Sequence, residues 1–160
     1  MHCCEKCFKD SEIKAIIRGN NTRGKCDFCH SDNVFICNLE SNEYLRDNFE
    51  SLLDVYTPID EMGHNYPKER ADLIKNVLCS QWSIFNLNPD GVYKFLISLL
   101  PEKYNEQPAL FDNPIGISGS VDEEYMNHYS ILGTYQWEDF IKEIKEKNRF
   151  HTNIINKDLS

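Results

Sequence analysis

The sequence has no long hydrophobic segment, and this absence excludes several classes of protein. Its longest apolar run, FLISLL at residues 95–100, is far shorter than the roughly 20 residues that a transmembrane helix needs. The N-terminal stretch MHCCEKCF lacks the apolar core of a secretory signal peptide. We therefore expect no membrane association and a cytoplasmic location, where thiols stay reduced.

The chain also has few positive charges compared with negative ones. Its formal net charge is −9, and residues 1–37 alone carry a balance of +1. The acidic remainder disfavours broad contact with a phosphate backbone. Any nucleic-acid contact is therefore expected in residues 1–37, where Phe8 and Phe28 are available for stacking on bases. Six basic side chains lie in the same segment: Lys6, Lys9, Lys14, Arg18, Arg23 and Lys25.

Cysteine, in contrast, is abundant, and five of the seven cysteines lie within the first 30 residues. The pairs Cys4-x-x-Cys7 and Cys26-x-x-Cys29 are separated by 18 residues, which is typical of a four-thiolate zinc site. Two residues between cysteines let one tight turn direct both sulfurs to a single ion, and two such knuckles complete a tetrahedron. The sequence predicts Zn²⁺ bound in a closed, structural site.

Neighbouring side chains leave alternatives for the ligands. Cys3 can replace Cys4 in the first knuckle, and His2 and His30 lie near enough in sequence to bind the ion. Gly24, in GKCDFC, is expected to let the backbone turn close to the metal.

Helical periodicity dominates the rest of the chain. DSEIKAIIRG predicts a short helix between the knuckles, capped by Asp10 or Ser11, and NVFICNLE predicts a strand. Further helices are predicted over residues 41–58, 68–85, 88–100 and 134–148. Residues 101–119 are predicted to form a long loop.

These elements predict a mainly α fold in two parts. Residues 1–38 form a small four-cysteine zinc-knuckle module, similar to a zinc ribbon or treble clef with a short strand. Residues 39–160 form an irregular helical bundle that packs on this module, so that the two parts make one compact unit.

Four stretches of the sequence resemble a known family, the HEPN/RES N-terminal domain. They are CxxCFxDxxIKxxI from Cys4 to Ile17, GxCDFCxS from Gly24 to Ser31, the helix end LLDVYTP, and the late W-E-D-F…NRF stretch. In that family the domain precedes an effector, either a RES domain that consumes NAD in bacterial toxin–antitoxin systems or a HEPN ribonuclease. The resemblance implies Cys4, Cys7, Cys26 and Cys29 as the metal ligands. It also implies that the chain ends where the effector is expected to begin.

No catalytic constellation is evident in the sequence. A HEPN nuclease needs an Arg and a His close together on one helix, but Arg23 and His30 fall on either side of a metal knuckle. We therefore expect a non-enzymatic accessory or regulatory domain that acts through protein–protein contact with a toxin or defence effector. The alternative is a nucleic-acid-binding zinc module. A third hypothesis places an enzyme site near Tyr104, Asp112 and His128.

Overall fold

The computed structural model describes residues 1–63, 69, 71–117 and 136–142. Its helices are α1 (Ser11–Gly19), α2 (Glu43–Leu53), α3 (Ile74–Ser80), α4 (Pro89–Leu99), α5 (Pro101–Glu106) and α6 (Ala109–Asp112), with a further helical stretch at 137–142. Its strands are β1 (His2–Cys4), β2 (Arg23–Gly24), β3 (Val34–Asn38), β4 (Tyr56–Pro58) and β5 (Ile115–Ile117). Short 3₁₀ helices lie at Glu5–Cys7 and Ile59–Glu61. The chain is mainly helical with an N-terminal four-cysteine cluster, as predicted, and it has two small sheets where the sequence predicted a short strand.

A three-stranded sheet joins the two cysteine knuckles through its central strand. β3 pairs antiparallel with β1 on one side and with β2 on the other. In this register Cys3 lies opposite Cys37 and Gly24 lies opposite Val34. A Cβ atom on Gly24 would lie 2.7 Å from Ile36 Cδ1. Gly24 therefore makes room for a core side chain within a strand, which corrects its predicted role in a turn at the metal.

Capping side chains begin three of the predicted helices, at Asp10 for α1, Asn42 for α2 and Asn88 for α4. The Asp10 carboxylate accepts the backbone N–H of Ile13 at 2.8 Å at the start of α1. Asn88 Oδ1 accepts the N–H of Gly91 at 2.8 Å at the start of α4, where Pro89 takes the first helical position. Each side chain satisfies an amide that has no partner within its helix. The predictions of α1 and α4 are confirmed.

Two other helices are shorter than the sequence indicated. α2 ends at Leu53, before β4, instead of continuing to Pro58. α3 ends at Ser80, so that Trp82 lies outside it. Trp82 Nε1 donates a buried hydrogen bond to the Tyr56 hydroxyl at 3.0 Å. This tertiary contact holds two aromatic side chains outside helices, although both have the spacing of an apolar helix face.

The predicted loop at 101–119 is wrong for the residues that the structure describes there. Pro101 takes the first position of α5 directly after α4, which suits a residue without a backbone N–H. α6 follows, and β5 then pairs antiparallel with β4, with Ile115 opposite Pro58. The partner strand β4 is more than 50 residues away in sequence, so that no local pattern predicts β5.

One hydrophobic core includes residues from both predicted parts of the chain. The Phe8 side chain, beside the first knuckle, is fully buried, and its ring centroid lies 5.4 Å from that of Phe85 and 5.5 Å from that of Phe95. Phe49 contacts both of these rings and stacks on Trp137 at 4.7 Å. The cysteine-rich segment is thus packed directly on the aromatic centre of the helical part.

The last predicted helix is observed at 137–142. Its side chains Trp137, Phe140 and Ile141 are buried, as the periodicity indicated. The rest of the predicted helix, residues 134–135 and 143–148, lies outside the described residues. None of the helices in the described ranges is long and apolar enough to cross a bilayer.

Candidate metal centre

The first knuckle follows directly from β1. The strand ends at Cys4, and the 3₁₀ helix Glu5–Cys7 turns the chain so that the sulfurs of Cys4 and Cys7 lie 3.9 Å apart. Both cysteines are buried. His2 is exposed at the start of the strand and lies outside the sulfur cluster.

The second knuckle is a tight turn whose amides point at one sulfur. Cys26 Sγ accepts the backbone N–H of Phe28 at 3.4 Å and that of Cys29 at 3.5 Å. Two backbone hydrogen bonds close the turn, from the His30 N–H to the Cys26 carbonyl at 3.1 Å and from the Cys26 N–H to the Ser31 carbonyl at 3.0 Å. His30 has a φ of 63°, so that the chain reverses directly after Cys29. The His30 side chain is exposed and is not part of the cluster.

The structure brings the sulfurs of Cys4, Cys7, Cys26 and Cys29 within 4.8 Å of one another. The Cys4–Cys29 and Cys7–Cys26 sulfur distances are 3.4 Å and 3.5 Å. A tetrahedral ion with metal–sulfur bonds of about 2.3 Å places its ligands about 3.8 Å apart. The spacing of the four sulfurs therefore fits one metal ion.

Burial and the neighbouring sulfurs together shift the pKa values of the thiols in the cluster. Burial raises the pKa of the Cys4 thiol to about 12. The neighbouring Cys26 raises the pKa of Cys7, whereas hydrogen bonds from Cys3 and Cys7 lower the pKa of Cys26. Four adjacent thiolates repel one another, and a divalent cation removes this repulsion. Metal binding is therefore expected to release protons.

Cys3, the alternative to Cys4, lies outside the group of four. Successive side chains in a strand point to opposite faces, so that Cys3 and Cys4 cannot occupy the same position. The Cys3 thiol lies beside Cys26 and Cys7, and burial raises its pKa. The structure thus places Cys4 in the cluster and leaves Cys3 as a buried neighbour.

Backbone hydrogen bonds attach the first knuckle to the helical part. The Lys9 N–H donates to the Ile84 carbonyl at 2.7 Å, and the Asn86 N–H donates to the Cys7 carbonyl at 2.8 Å. The Asn86 side-chain amide donates to the Phe8 carbonyl at 3.3 Å and to a second carbonyl of the knuckle at 3.2 Å. Sequence reasoning did not identify Asn86, because its partners lie about 80 residues away and leave no local signal.

The two phenylalanines proposed for base stacking have different surroundings. Phe8 is fully buried, so that its ring faces are not available to a ligand. Phe28 is half-buried, with its ring 5.9 Å from the Phe95 ring and the Lys94 ammonium 5.2 Å from its centroid. Phe8 is therefore wholly part of the core beneath the knuckles, whereas part of Phe28 remains open to solvent.

Two residues of the predicted enzyme alternative, Tyr104 and Asp112, form a hydrogen-bonded network with Tyr93, which was not predicted. The hydroxyls of Tyr93 and Tyr104 donate to the Asp112 carboxylate at 2.6 Å and 3.0 Å. The bond to Asp112 raises the pKa of Tyr93, which disfavours its use as a base or nucleophile at neutral pH. The network connects α4, α5 and α6, and His128 lies outside the described residues.

The chain was compared with protein-family models, curated proteins and solved structures. None of the three comparisons finds a match, so that the resemblance to the HEPN/RES N-terminal domain rests on the residues of this chain alone.

Proposed function

We propose that this chain is a non-catalytic zinc-binding accessory domain that regulates or assembles a bacterial toxin-type or defence effector of the RES or HEPN class. The observation that carries the proposal is the cluster of four cysteine sulfurs. Four thiolates fill the coordination shell of Zn²⁺, and a filled shell supports structure rather than catalysis.

The position of the cluster supports a structural role for the metal. Cys7 is hydrogen-bonded to Asn86, and the adjacent Phe8 lies within the aromatic core. Metal binding at such a site contributes to the free energy of folding. The domain would therefore need zinc to keep its shape as a binding partner.

Metal analysis and an activity assay on the purified chain test the non-catalytic part. We expect one zinc ion per chain, which Cys26→Ser loses and the control Cys79→Ser retains, because Cys79 is half-buried away from the cluster. We expect no turnover of NAD or RNA by the zinc-loaded protein. Robust metal-dependent turnover by the wild-type chain alone would refute the proposal.

The effector part is tested with the product of a neighbouring reading frame. We expect a purified RES or HEPN effector from that frame to bind the zinc-loaded chain and to change its rate of NAD or RNA turnover. Binding by Cys79→Ser but not by zinc-free protein would support the proposal. Unchanged effector activity without complex formation would refute it.

A nucleic-acid-binding module is the second candidate, favoured by exposed cations around the knuckles. Lys6, Lys9, Arg23 and Lys25 are exposed, and the Arg23 guanidinium lies 4.1 Å from the Phe35 ring centroid. The burial of Phe8 removes one of its two predicted stacking residues. A binding titration against salt tests this candidate, because phosphate contacts require an affinity that falls with salt concentration.

A further inference from the structure

The four sulfurs of the cluster differ sharply in their access to solvent. Cys4, Cys7 and Cys26 are 0–1% exposed, whereas Cys29 is exposed. A small reagent can therefore approach Cys29 without a prior opening of the fold, whereas the other three cysteines are covered.

The sulfurs also differ in their hydrogen bonds. Cys26 Sγ accepts two backbone amides, and such donors stabilise the negative charge of a bound thiolate and make it a weaker nucleophile. Cys29 Sγ has the Ser31 hydroxyl at 3.2 Å and the Cys4 sulfur at 3.4 Å as its neighbours. Besides the Cys4 sulfur, the hydrogen-bond partner of the Cys29 sulfur is thus a single hydroxyl that can rotate. The Cys26 sulfur has two backbone amides in fixed positions.

We propose that Cys29 is a modification site of the metal centre: soft alkylating electrophiles attack its metal-bound sulfur first, and the metal leaves after this attack. The inference rests on the proposed metal site and concerns its reactivity. The buried ligands Cys4, Cys7 and Cys26 are protected while the metal is bound.

The chemistry is a simple displacement. A lone pair of Cys29 Sγ forms a bond to the electrophilic carbon while the bond from that carbon to its leaving group breaks, and the leaving group departs with the electron pair. The thiolate becomes a neutral thioether, and the ligand set loses one negative charge. Three thiolates and a thioether bind a divalent cation more weakly, so that alkylation and metal release are coupled.

The test uses the zinc-loaded full chain and iodoacetamide as the probe, with iodide as the leaving group. A Cys79→Ser background removes the half-buried thiol outside the cluster. Peptide mapping by mass spectrometry follows each cysteine while a metallochromic dye reports free zinc. We expect Cys29 to react at least about tenfold faster than Cys4, Cys7 or Cys26, with zinc release at the rate of Cys29 alkylation.

A second variant tests the local cause without removing a ligand. Ser31→Ala removes the hydroxyl beside the Cys29 sulfur and leaves the backbone carbonyl that Cys26 uses. The Cys29 thiol donates to this hydroxyl, but a metal-bound thiolate has no proton to give and would instead accept the hydroxyl proton. We expect Cys29 to react about two- to threefold faster in this variant, because the bound thiolate loses that donor, with no change at the buried cysteines.

The outcomes separate this inference from the proposed function. Uniform alkylation of the four cysteines, or earlier attack at a buried one, in a protein with one zinc per chain would overturn the reactivity of Cys29 and leave the structural site intact. A chain that binds no metal would overturn both.

Discussion

The two cysteine knuckles share one spacing but have different surroundings. Both cysteines of the first knuckle are buried, its carbonyls accept hydrogen bonds from Asn86, and the adjacent Phe8 belongs to the aromatic core. The second knuckle has one buried cysteine and one exposed cysteine, and its Phe28 is only half-buried. Local spacing therefore determines that sulfurs converge, whereas contacts with distant segments determine which knuckle anchors the fold and which faces solvent.

The largest expected difference is between the two ligands of the second knuckle. Structural zinc contributes on the order of 10 kcal/mol to the folding of small zinc domains, so that Cys26→Ser is expected to lose both zinc and the native fold. Cys29→Ser, altered at the exposed sulfur, is expected to keep its fold and bind zinc more weakly. Metal content and circular dichroism measured together compare the variants. A well-folded, zinc-replete Cys26→Ser protein would contradict the ligand assignment.

A smaller difference, in the free energy of unfolding, is expected between alanine variants of the two phenylalanines. Phe8→Ala removes a fully buried ring and should lower the free energy of unfolding by about 3–5 kcal/mol. Phe28→Ala removes a half-buried ring and should cost about 1–2 kcal/mol. Urea denaturation of the zinc-loaded variants measures both values. Equal losses would mean that the two knuckles contribute alike to the core.

The attachment of the first knuckle can be weakened without changing a ligand or an aromatic ring. Asn86→Ala removes two side-chain hydrogen bonds to the knuckle and should cost about 1–2 kcal/mol. Asn20→Ala, at an exposed position after α1, is the matched control and should change stability by less than about 0.5 kcal/mol. Thermal unfolding of both variants would show whether Asn86 has the expected role.

The smallest effect is expected at Asp10, the cap of the helix between the knuckles. Burial, with help from Glu138 and Glu12, raises the pKa of Asp10. The native state therefore favours the protonated form, and stability declines as the pH rises from the ordinary pKa near 3.8 through the higher native value. Asp10→Asn keeps the cap without the charge, so that it should gain stability over the wild type above this range.

Asp10→Ala is the matched variant for this comparison, because it removes both the charge and the cap. It should cost about 1 kcal/mol at the acid end, where Asp10→Asn and the wild type are expected to be equally stable. Chemical denaturation of the three proteins across acid to neutral pH measures the effect. Parallel curves for Asp10→Asn and the wild type would show that the native pKa is not raised.

The sequence was sufficient to predict helices α1 and α4 and the sulfur cluster, whose determinants are local. The cap at Asp10 predicted α1, the apolar periodicity over residues 88–100 predicted α4, and the C-x-x-C spacing predicted four sulfurs that the structure brings together. The expectation that Cys4, not Cys3, joins the cluster agrees with the alternation of side chains along β1.

The sequence was insufficient to predict contacts between segments that lie far apart in the chain. β5 pairs with the distant β4, and Trp82 donates a hydrogen bond to the Tyr56 hydroxyl. Asn86 likewise donates hydrogen bonds to carbonyls of the first knuckle. The exposure of Cys29 is likewise a property of the assembled fold, because its spacing equals that of the buried Cys7.

The hydrogen bond from Asn86 to Phe8 closes 78 residues of chain and has a practical consequence for handling the protein. In the native structure the segment around Asn86 packs against the first knuckle and donates hydrogen bonds to it. A peptide of the cysteine-rich segment alone would expose Phe8 to water and is expected to hold zinc less tightly than the whole chain. The zinc affinity of the whole chain, compared with that of the peptide, is therefore expected to show how much the docking of the distant segment strengthens the site.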